Sequence, residues 1–363
     1  MIPARSKDIT SDWLNNALHA CGFLGDANIK AMTHEPWGVG EGFVSDMARL
    51  TLDYDRDAAH LPRTMVAKLP TTYESARAVA MLFNLYEREI RFYSEVAPQS
   101  PIRTPGLIYY DIDSESQRYV LIIEDCSGYT QIDQIVGLDY EQTKRVTLMV
   151  ADFHARWWDA DNLFSFPWMP KPKGPEAMAL IDTYRGCWDF SAQSEEFKSF
   201  LPDGGYEAGA AIHKHFPWLV EDVRDNNITI AHFDFRVDNM FFDFENEENP
   251  VIVFDWGSAV VNGGILDLAY LLGGSITIEL RRKIEKEIVQ LYLDRLSEKG
   301  ISGYSFDDCW TDYLKGLMCY AYIPVLGFTS LDLSDERAVQ LGEAIIKLHF
   351  TAIIDNDATS ICP

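Results

Sequence analysis

The most informative part of this 363-residue chain is a loop with the pattern His-x-Asp-x-x-x-x-Asn, followed by a further Asp at the end of an apolar run. The loop runs from His232 to Asn239 and contains Asp234, and the later residue is Asp255. Phosphoryl transfer uses such a set, because one carboxylate must lie beside the attacking hydroxyl. A second carboxylate and a carboxamide must hold Mg²⁺ against the nucleotide phosphates.

The chain that follows the loop predicts an antiparallel hairpin. Residues 240–244 alternate large apolar groups, residues 251–254 form a continuous apolar run, and a polar turn joins the two. Folding this hairpin brings Asn239, before its first strand, and Asp255, after its second, to the same end, where Asp234 lies in the incoming loop. Oxygen ligands of this kind suit Mg²⁺. The alternative is that these are ordinary turn residues, since Asp and Asn are common at turns.

A predicted strand over residues 65–69 carries one lysine, Lys68. A lysine inside an apolar strand is unfavourable unless its ammonium has an anionic partner. In kinases that partner is a pair of phosphates plus a Glu on a helix. Glu89 lies on a helical run that starts near Ser75 and is the preferred partner, with Glu87 as the second choice. The alternatives are an edge-strand lysine that points to solvent and a solvated helix face.

Two further segments suit nucleotide binding. Gly38, Gly40 and Gly42 precede a strand-like run, and glycines let backbone N–H groups approach phosphates, although a hairpin turn has the same composition. Glu124 and Cys126 follow an apolar strand, and this segment suits a hinge whose backbone groups pair with adenine. The alternative there is a buried strand followed by a turn. No Walker-type glycine-lysine loop occurs, so the P-loop NTPase class finds no support.

Together these motifs resemble the aminoglycoside phosphotransferase and choline-kinase-like superfamily, a small-molecule branch of the protein-kinase fold. More narrowly, the chain is similar to the ecdysteroid-kinase-like group, also labelled CHK-kinase-like. One position departs from the family pattern, since Phe233 stands where the family usually has Gly. The resemblance covers roughly residues 38–270 and is carried by the Lys68 strand, Glu89-x-x-Phe92-Tyr93, residues 122–128, residues 151–158, the His232–Asn239 loop, Asp255-Trp256 and Asp267-Leu268-Ala269.

The resemblance implies a role for each reacting or binding residue. Asp234 would accept the proton of the substrate hydroxyl or orient that hydroxyl. Asn239 and Asp255 would bind Mg²⁺. Lys68 would hold the α- and β-phosphates of ATP, with Glu89 behind it.

The other positions would support the nucleotide or the loop. His232 would brace the catalytic loop by hydrogen bonding, and Asp267 would hold it from the start of a helix. An Asp also suits that helix position on its own terms. The glycines and the hinge residues described above would contact the cofactor.

Composition excludes several classes of function. The formal net charge is −25, which makes nucleic acid an improbable partner, because phosphate backbones need a basic surface. This charge either steers cationic substrates or simply keeps the protein monodisperse. The six scattered cysteines form no CxxC pair, which indicates reduced thiols and a cytoplasmic location. The chain lacks a signal peptide pattern and any apolar run of the ~18 residues that a membrane span needs.

The expected fold is α+β and protein-kinase-like, with two lobes. Residues 1–124 form a small β-rich nucleotide-binding lobe, and residues 125–363 form a larger, mainly helical lobe for catalysis and substrate binding. A single helix is expected over 74–97, and helices are expected from about residue 264 to the C-terminus. Aromatic residues in the helical lobe could line a pocket for an apolar alcohol or cage a quaternary amine, although core packing explains most of them.

The expected function is ATP- and Mg²⁺-dependent phosphorylation of a small-molecule hydroxyl by a monomer or homodimer. A hydrophobic or sterol-like alcohol competes with an aminoglycoside or amino alcohol as the acceptor. The alternative function is that of a pseudokinase, a nucleotide-binding module acting through protein partners. Its sequence mark would be the loss of Lys68, Asp234, Asn239 or Asp255, and all four are present.

Overall fold

The structure is a computed structural model that describes residues 1–37, 44–224 and 226–363. The predicted phosphate-contacting positions Gly38, Gly40 and Gly42 lie outside the described residues. The chain divides into two compact units. The smaller unit contains Met1–Gln99, Arg103–Thr130 and Ile252–Ser258, and the larger contains Ser100–Ile102, Gln131–Val251 and Ala259–Pro363.

The smaller unit is built on an antiparallel sheet. Its strands are β1 (Ile29–Pro36), β2 (Ser45–Tyr54), β3 (Thr64–Pro70), β4 (Leu107–Asp113) and β5 (Arg118–Glu124). They are ordered β1-β2-β3-β5-β4, so β3 lies in the centre of the sheet. In the register, Lys68 pairs with Met47 on one side and with Leu121 on the other.

The alternation of side chains along β3 decides where Lys68 lies. Met65, Ala67 and Leu69 belong to a buried hydrophobic cluster that also contains Leu18 of helix α1 (Ser11–Ala20). Successive side chains of a strand point to opposite faces of the sheet. Lys68 therefore projects from the face opposite this cluster, which is why a charged residue is compatible with a central strand here.

The expected helix over residues 74–97 is broken in the structure. It forms α2 (Glu74–Leu82) and α3 (Leu85–Arg91), followed by a π-helical turn, Phe92–Val96. The break falls at Asn84, whose φ of 52° lies in the left-handed region. Asn is one of the few non-glycine residues that visits this region routinely, since its short polar side chain can hydrogen-bond locally. The break lets α3 follow its own direction, and α3 carries Glu89.

The larger unit is mainly helical. Its helices and short strands are, in chain order, α4 (Tyr140–Trp157), α5 (Pro175–Ser191), α6 (Glu195–Phe200), α7 (Gly205–Glu221), β6 (Thr229–Ala231), β7 (Met240–Phe242), β9 (Val260–Asn262), α8 (Ile265–Gly274), α9 (Ile278–Glu298), α10 (Phe306–Tyr320), α11 (Tyr322–Thr329) and α12 (Glu336–Asp355), with β8 (Val251–Val253) falling at the division between the units. Strand β6 pairs antiparallel with β9. The predicted hairpin turn is present, since the Asp243 N–H donates to the Pro250 carbonyl at 2.7 Å.

The α+β prediction is confirmed by a five-stranded antiparallel sheet accompanied by a mostly helical remainder. Several large aromatic side chains of the larger unit are core residues, and they include Trp157, Tyr184, Trp188, Tyr313 and Tyr320. All six cysteines are free thiols. Within the described ranges, no helix combines the length and the apolar character that crossing a membrane requires.

Candidate active site

Lys68 lies at the centre of a buried group of charges in the smaller unit. Its Nζ donates to Glu89 Oε1 at 2.6 Å and to Asp255 Oδ1 at 3.2 Å. Lys68 and Glu89 are buried, whereas the Asp255 side chain is 39% exposed. Glu87 pairs instead with Arg91 on its own helix. The solvent-facing alternatives for Lys68 and Glu89 are therefore wrong, and Glu89 is the helix partner of the lysine.

This group holds one cation against two anions. Burial alone lowers the pKa of Lys68, but the charges of Asp255 and Glu89 raise it by more, so the pKa lies above its ordinary value. Burial raises the pKa of Glu89, the Lys68 ammonium lowers it by less, and the charge of Asp255 raises it again. The net result is a pKa of about 7. A second cation beside Asp255 would relieve this excess of negative charge.

The raised pKa of Glu89 makes stability depend on pH. The folded protein holds a proton on Glu89 up to about pH 7, whereas the unfolded chain releases it near the ordinary value of 4.5. The contribution of Glu89 to the free energy of unfolding is therefore greatest below the unfolded pKa and decreases as pH rises through the folded pKa. We expect the difference in unfolding free energy between wild type and Glu89→Gln to fall over this range.

Urea unfolding of both proteins at a series of pH values measures this difference. Glu87→Gln, on the same helix, is the matched control for losing a carboxylate. A wild-type advantage that grows as pH rises from 4.5 to 7 would show that the pKa of Glu89 is not raised.

The backbone at Asp255 is held in an unusual conformation. Its φ is 63°, in the left-handed region, which costs a non-glycine residue about 1–3 kcal/mol unless the surroundings impose it. The next residue, Trp256, is buried and stacks on Phe92 with ring centroids 3.8 Å apart. The Trp256 Nε1 donates to the Val253 carbonyl at 3.0 Å. Packing on the far side of Asp255 thus fixes the direction in which its carboxylate meets Lys68.

The expected hinge residues lie at and just beyond the end of β5. The Glu124 N–H donates to the Gly106 carbonyl at 2.8 Å, and its carboxylate accepts the Gly106 N–H at 3.0 Å. Cys126 is buried, and burial, followed by the charge of Glu124, raises the pKa of its thiol to about 12. The thiol is therefore neutral and unreactive. Adenine binding by this segment stays a prediction.

The His232–Asn239 loop, in the larger unit, holds the Asp234 carboxylate from two sides. Asn239 Nδ2 donates to Asp234 Oδ2 at 2.9 Å and to the Asp234 carbonyl at 2.8 Å. Arg236 Nε lies 3.5 Å from Asp234 Oδ1. The Asp234 N–H donates to His232 Nδ1 at 3.2 Å. The Asp234 side chain remains 24% exposed, so it is fixed in place yet open to a reacting hydroxyl.

Asp267, near the start of α8, anchors the first residues of this loop. Its buried carboxylate accepts the N–H of His232 at 2.7 Å and that of Phe233 at 2.9 Å. It also lies 3.2 Å from His154 Nε2, and His154 Nδ1 lies 2.9 Å from the Tyr292 hydroxyl. Sequence reasoning missed His154 as part of this network. The available signal was a histidine on the apolar side of α4, where a polar group needs a partner.

Arg236 is a second residue that the sequence analysis did not single out. Besides Asp234, its guanidinium contacts Gln134 Oε1 at 2.9 Å and Asp238 Oδ2 at 3.0 Å. Gln134 in turn donates to the Gly274 carbonyl at 2.9 Å. The signal in the sequence was a cation between two acids of the loop. Arg236 links the loop to the end of α8 and sets the charge around Asp234.

The geometry of Asn239 suits a magnesium ligand. Both acceptors of its Nδ2, the carbonyl and the carboxylate of Asp234, are oxygens without a proton to donate. This chemistry fixes the orientation of the amide and turns Oδ1 away from Asp234. A carboxamide oxygen on Asn239 and a partly exposed carboxylate on Asp255 are hard oxygen donors of the kind Mg²⁺ prefers. The donor chemistry therefore fits this ion.

The candidate residues thus form two groups. The smaller unit brings together Lys68, Glu89 and Asp255, and the larger unit brings together His232, Asp234, Asn239 and Asp267. From the sequence, Asp255 is expected to join Asp234 and Asn239 around one ion, and this meeting stays a prediction.

The sequence model of the ecdysteroid kinase-like family matches residues 39–157 and 192–301, which is more than half of the chain. The chain belongs to the ecdysteroid kinase-like family. The matched ranges of this family contain both groups of candidate residues and the predicted hinge, and they leave out Gly38. The resemblance drawn from the sequence is therefore confirmed. Comparison with curated proteins finds no match.

Two solved structures with the same fold are, by name, an aminoglycoside phosphotransferase and an ethanolamine kinase. The GDP complex of wild-type aminoglycoside 2'-phosphotransferase-IIIa is 15% identical, has a TM-score of 0.54, and the match covers 93% of this chain and 99% of that one. An ethanolamine kinase from Plasmodium vivax is 10% identical, with a TM-score of 0.55 and coverage of 92% and 85%. At these identities the similarity establishes the fold that this member of the ecdysteroid kinase-like family adopts.

Proposed function

We propose that this protein transfers the γ-phosphoryl group of ATP to a hydroxyl group of a small molecule. The observation that carries the proposal is the buried Lys68, which contacts Glu89 at 2.6 Å and Asp255 at 3.2 Å. In kinases a strand lysine held by a helix Glu contacts a pair of nucleotide phosphates. A Mg²⁺ ion that arrives with those phosphates would offset the excess negative charge beside Asp255. On this proposal, residues 1–124 bind the nucleotide and residues 125–363 supply catalysis and the acceptor site.

Lys68 would bind the α- and β-phosphates in its charged form. The raised pKa of Lys68 keeps the ammonium protonated at neutral pH. Glu89 fixes the position of Nζ, because the 2.6 Å contact leaves the lysine side chain little freedom. The Glu124–Cys126 segment would pair with the adenine through its backbone groups.

Asp234 would act on the acceptor. As the hydroxyl oxygen forms its bond to the γ-phosphorus, the bond between that phosphorus and the β,γ-bridging oxygen breaks, and ADP leaves. The hydroxyl proton passes to the Asp234 carboxylate. A hydrogen bond from Asn239 holds this carboxylate, and Asp267 holds the loop through the amides of His232 and Phe233. Positioning of this kind supplies most of the catalysis in phosphoryl transfer.

Asn239 and Asp255 would be the protein ligands of Mg²⁺. When bound, the ion neutralises charge on the β- and γ-phosphates. The retained Lys68, Asp234, Asn239 and Asp255 support an active enzyme over a pseudokinase. Membership of the ecdysteroid kinase-like family and the GDP bound to a protein of the same fold support a nucleotide as cosubstrate.

A screen of phosphate-ester formation tests the proposal. Purified protein, ATP and MgCl₂ are incubated with amino alcohols, aminoglycosides, sugars and steroid alcohols, and products are identified by ³¹P NMR and mass spectrometry. We expect at least one ester, formed at least about 100-fold more slowly by Asp234→Asn. A protein that binds MgATP but phosphorylates none of these alcohols would contradict the proposal and favour the pseudokinase alternative.

A further inference from the structure

Phe233 has a backbone conformation that favours glycine. Its φ is 65°, in the left-handed region, where a side chain of this size is strained. The conformation is imposed from outside the residue, because the Asp267 carboxylate accepts the N–H groups of both His232 and Phe233. Glycine would satisfy these hydrogen bonds without strain. The phenyl ring at this position therefore needs a separate explanation.

Core packing does not supply that explanation. Phe235, two residues along the same loop, is fully buried and has no left-handed backbone angle. Phe233, in contrast, is only partly buried. The loop thus already has a core phenylalanine in an unstrained conformation, whereas Phe233, directly before Asp234, remains partly accessible.

The ring of Phe233 is continued by two tyrosines of the larger unit. Its centroid lies 5.5 Å from that of Tyr320 and 6.2 Å from that of Tyr322, which is inclined to it by 22°. Tyr320 is buried and stacks on Tyr270 at 4.5 Å, so it forms a rigid base. Tyr322, at the start of α11, is partly exposed like Phe233. The helix change between α10 and α11 brings these two tyrosines beside the loop.

We propose that Phe233 and Tyr322, supported by Tyr320, form an aromatic surface that binds an apolar face of the acceptor alcohol beside Asp234. This inference rests on the proposed function and names a specificity-determining residue for it. Aromatic rings offer rigid apolar contact at low conformational cost, and each contact excludes water next to the reacting hydroxyl. The surface favours alcohols with an apolar ring over those whose carbons all carry hydroxyls.

Two variants separate the strain from the role of the ring. Phe233→Ala removes the ring and keeps the strain, whereas Phe233→Gly removes both. Glycine normally destabilises a folded chain relative to alanine. At a left-handed position this order reverses, so we expect Phe233→Gly to melt at a higher temperature than Phe233→Ala. The opposite order would overturn the inference, since the ring would then sit in an ordinary backbone conformation.

The probes are cyclohexylmethanol, which has one hydroxyl beside an apolar ring, and glycerol, which has no apolar face. We expect wild type to show a kcat/KM about 10-fold or more higher for cyclohexylmethanol, and both Phe233 variants to lose this preference through a higher KM. Phe244→Ala is the matched control, because Phe244 is a phenylalanine of the larger unit that is 55% exposed; it should keep the preference.

The possible results separate a failure of the aromatic surface from a failure of the proposed phosphotransferase function. Phosphorylation of both probes without preference, or a preference that survives in both Phe233 variants, overturns the aromatic surface and leaves the phosphotransferase intact. Failure of wild type to phosphorylate these probes or any alcohol of the wider screen overturns the proposed function, and the inference falls with it.

Discussion

Asp234→Asn is expected to lower kcat by about 10²–10⁴-fold, the usual contribution of a positioned general base. Affinity for MgATP should change little, because Asp234 is assigned to the acceptor hydroxyl. The substitution keeps the shape of the side chain and the hydrogen bond from Asn239, which approaches Asp234 Oδ2 at 2.9 Å. What disappears is the ability to take a proton. Initial rates with an alcohol that the wild type phosphorylates give kcat, and calorimetric titration with MgATP gives the nucleotide affinity.

Asp238→Asn is a closely matched control for this variant. It removes the same charge from the same loop, and its carboxylate contacts the same guanidinium, that of Arg236, at 3.0 Å. A loss confined to Asp234→Asn would assign the effect to the position of that carboxylate. Equal losses in both variants would assign it to the electrostatics around Arg236, and normal turnover by Asp234→Asn would remove Asp234 from the reaction.

Lys68→Met has the second large expected effect, and it acts on both activity and stability. Removal of the phosphate-binding ammonium should lower kcat/KM for ATP by about 10²–10³-fold. The same change leaves the Glu89 and Asp255 carboxylates without their shared cation. Removing one partner of a buried pair costs about 3–5 kcal/mol, and we expect the lower end because Asp255 is 39% exposed.

The double variant Lys68→Met/Glu89→Leu separates these two effects. Replacing both partners of a buried ion pair by apolar groups is often neutral for stability. We therefore expect the double variant to recover most of the lost unfolding free energy in urea while its activity stays low. Recovery of activity together with stability would mean that Lys68 has only a structural role, and an unaffected single variant would remove it from the site.

Much of the charged group in the smaller unit, formed by Lys68, Glu89 and Asp255, could be predicted from the sequence. An ammonium within the apolar run around Lys68 demands a partner, and the helical run about twenty residues further along offered Glu89 as the first choice and Glu87 as the second. Both arguments depend on local patterns and on the cost of burying charge. The fold class followed in the same way from strands early in the chain and helices later.

The remaining features of the candidate site depend on contacts between segments that are distant in sequence. Local periodicity carries no information about such contacts. The ring of His154 meets Asp267 across 113 residues of sequence. The left-handed angles at Phe233 and Asp255 accompany contacts that the chain makes only after folding, with Asp267 and Lys68 respectively. The role of Arg236 could not be predicted, because a cation in a loop is common and its partners are known only from the structure. These positions concentrate around the candidate site, where strain is commonly stored.

The central claim is that Asn239 and Asp255 hold the same metal ion. Mn²⁺ binding in the presence of ATP, followed by electron paramagnetic resonance, tests it with Asn239→Ala, Asp255→Asn and the double variant. Asn tolerates the left-handed backbone at position 255, so the second change removes the charge without adding strain. We expect each single variant to weaken Mn²⁺ binding. The double variant should bind Mn²⁺ only slightly more weakly than whichever single variant has the lower affinity. Losses that simply add, or unchanged affinity in either single variant, would contradict the central claim.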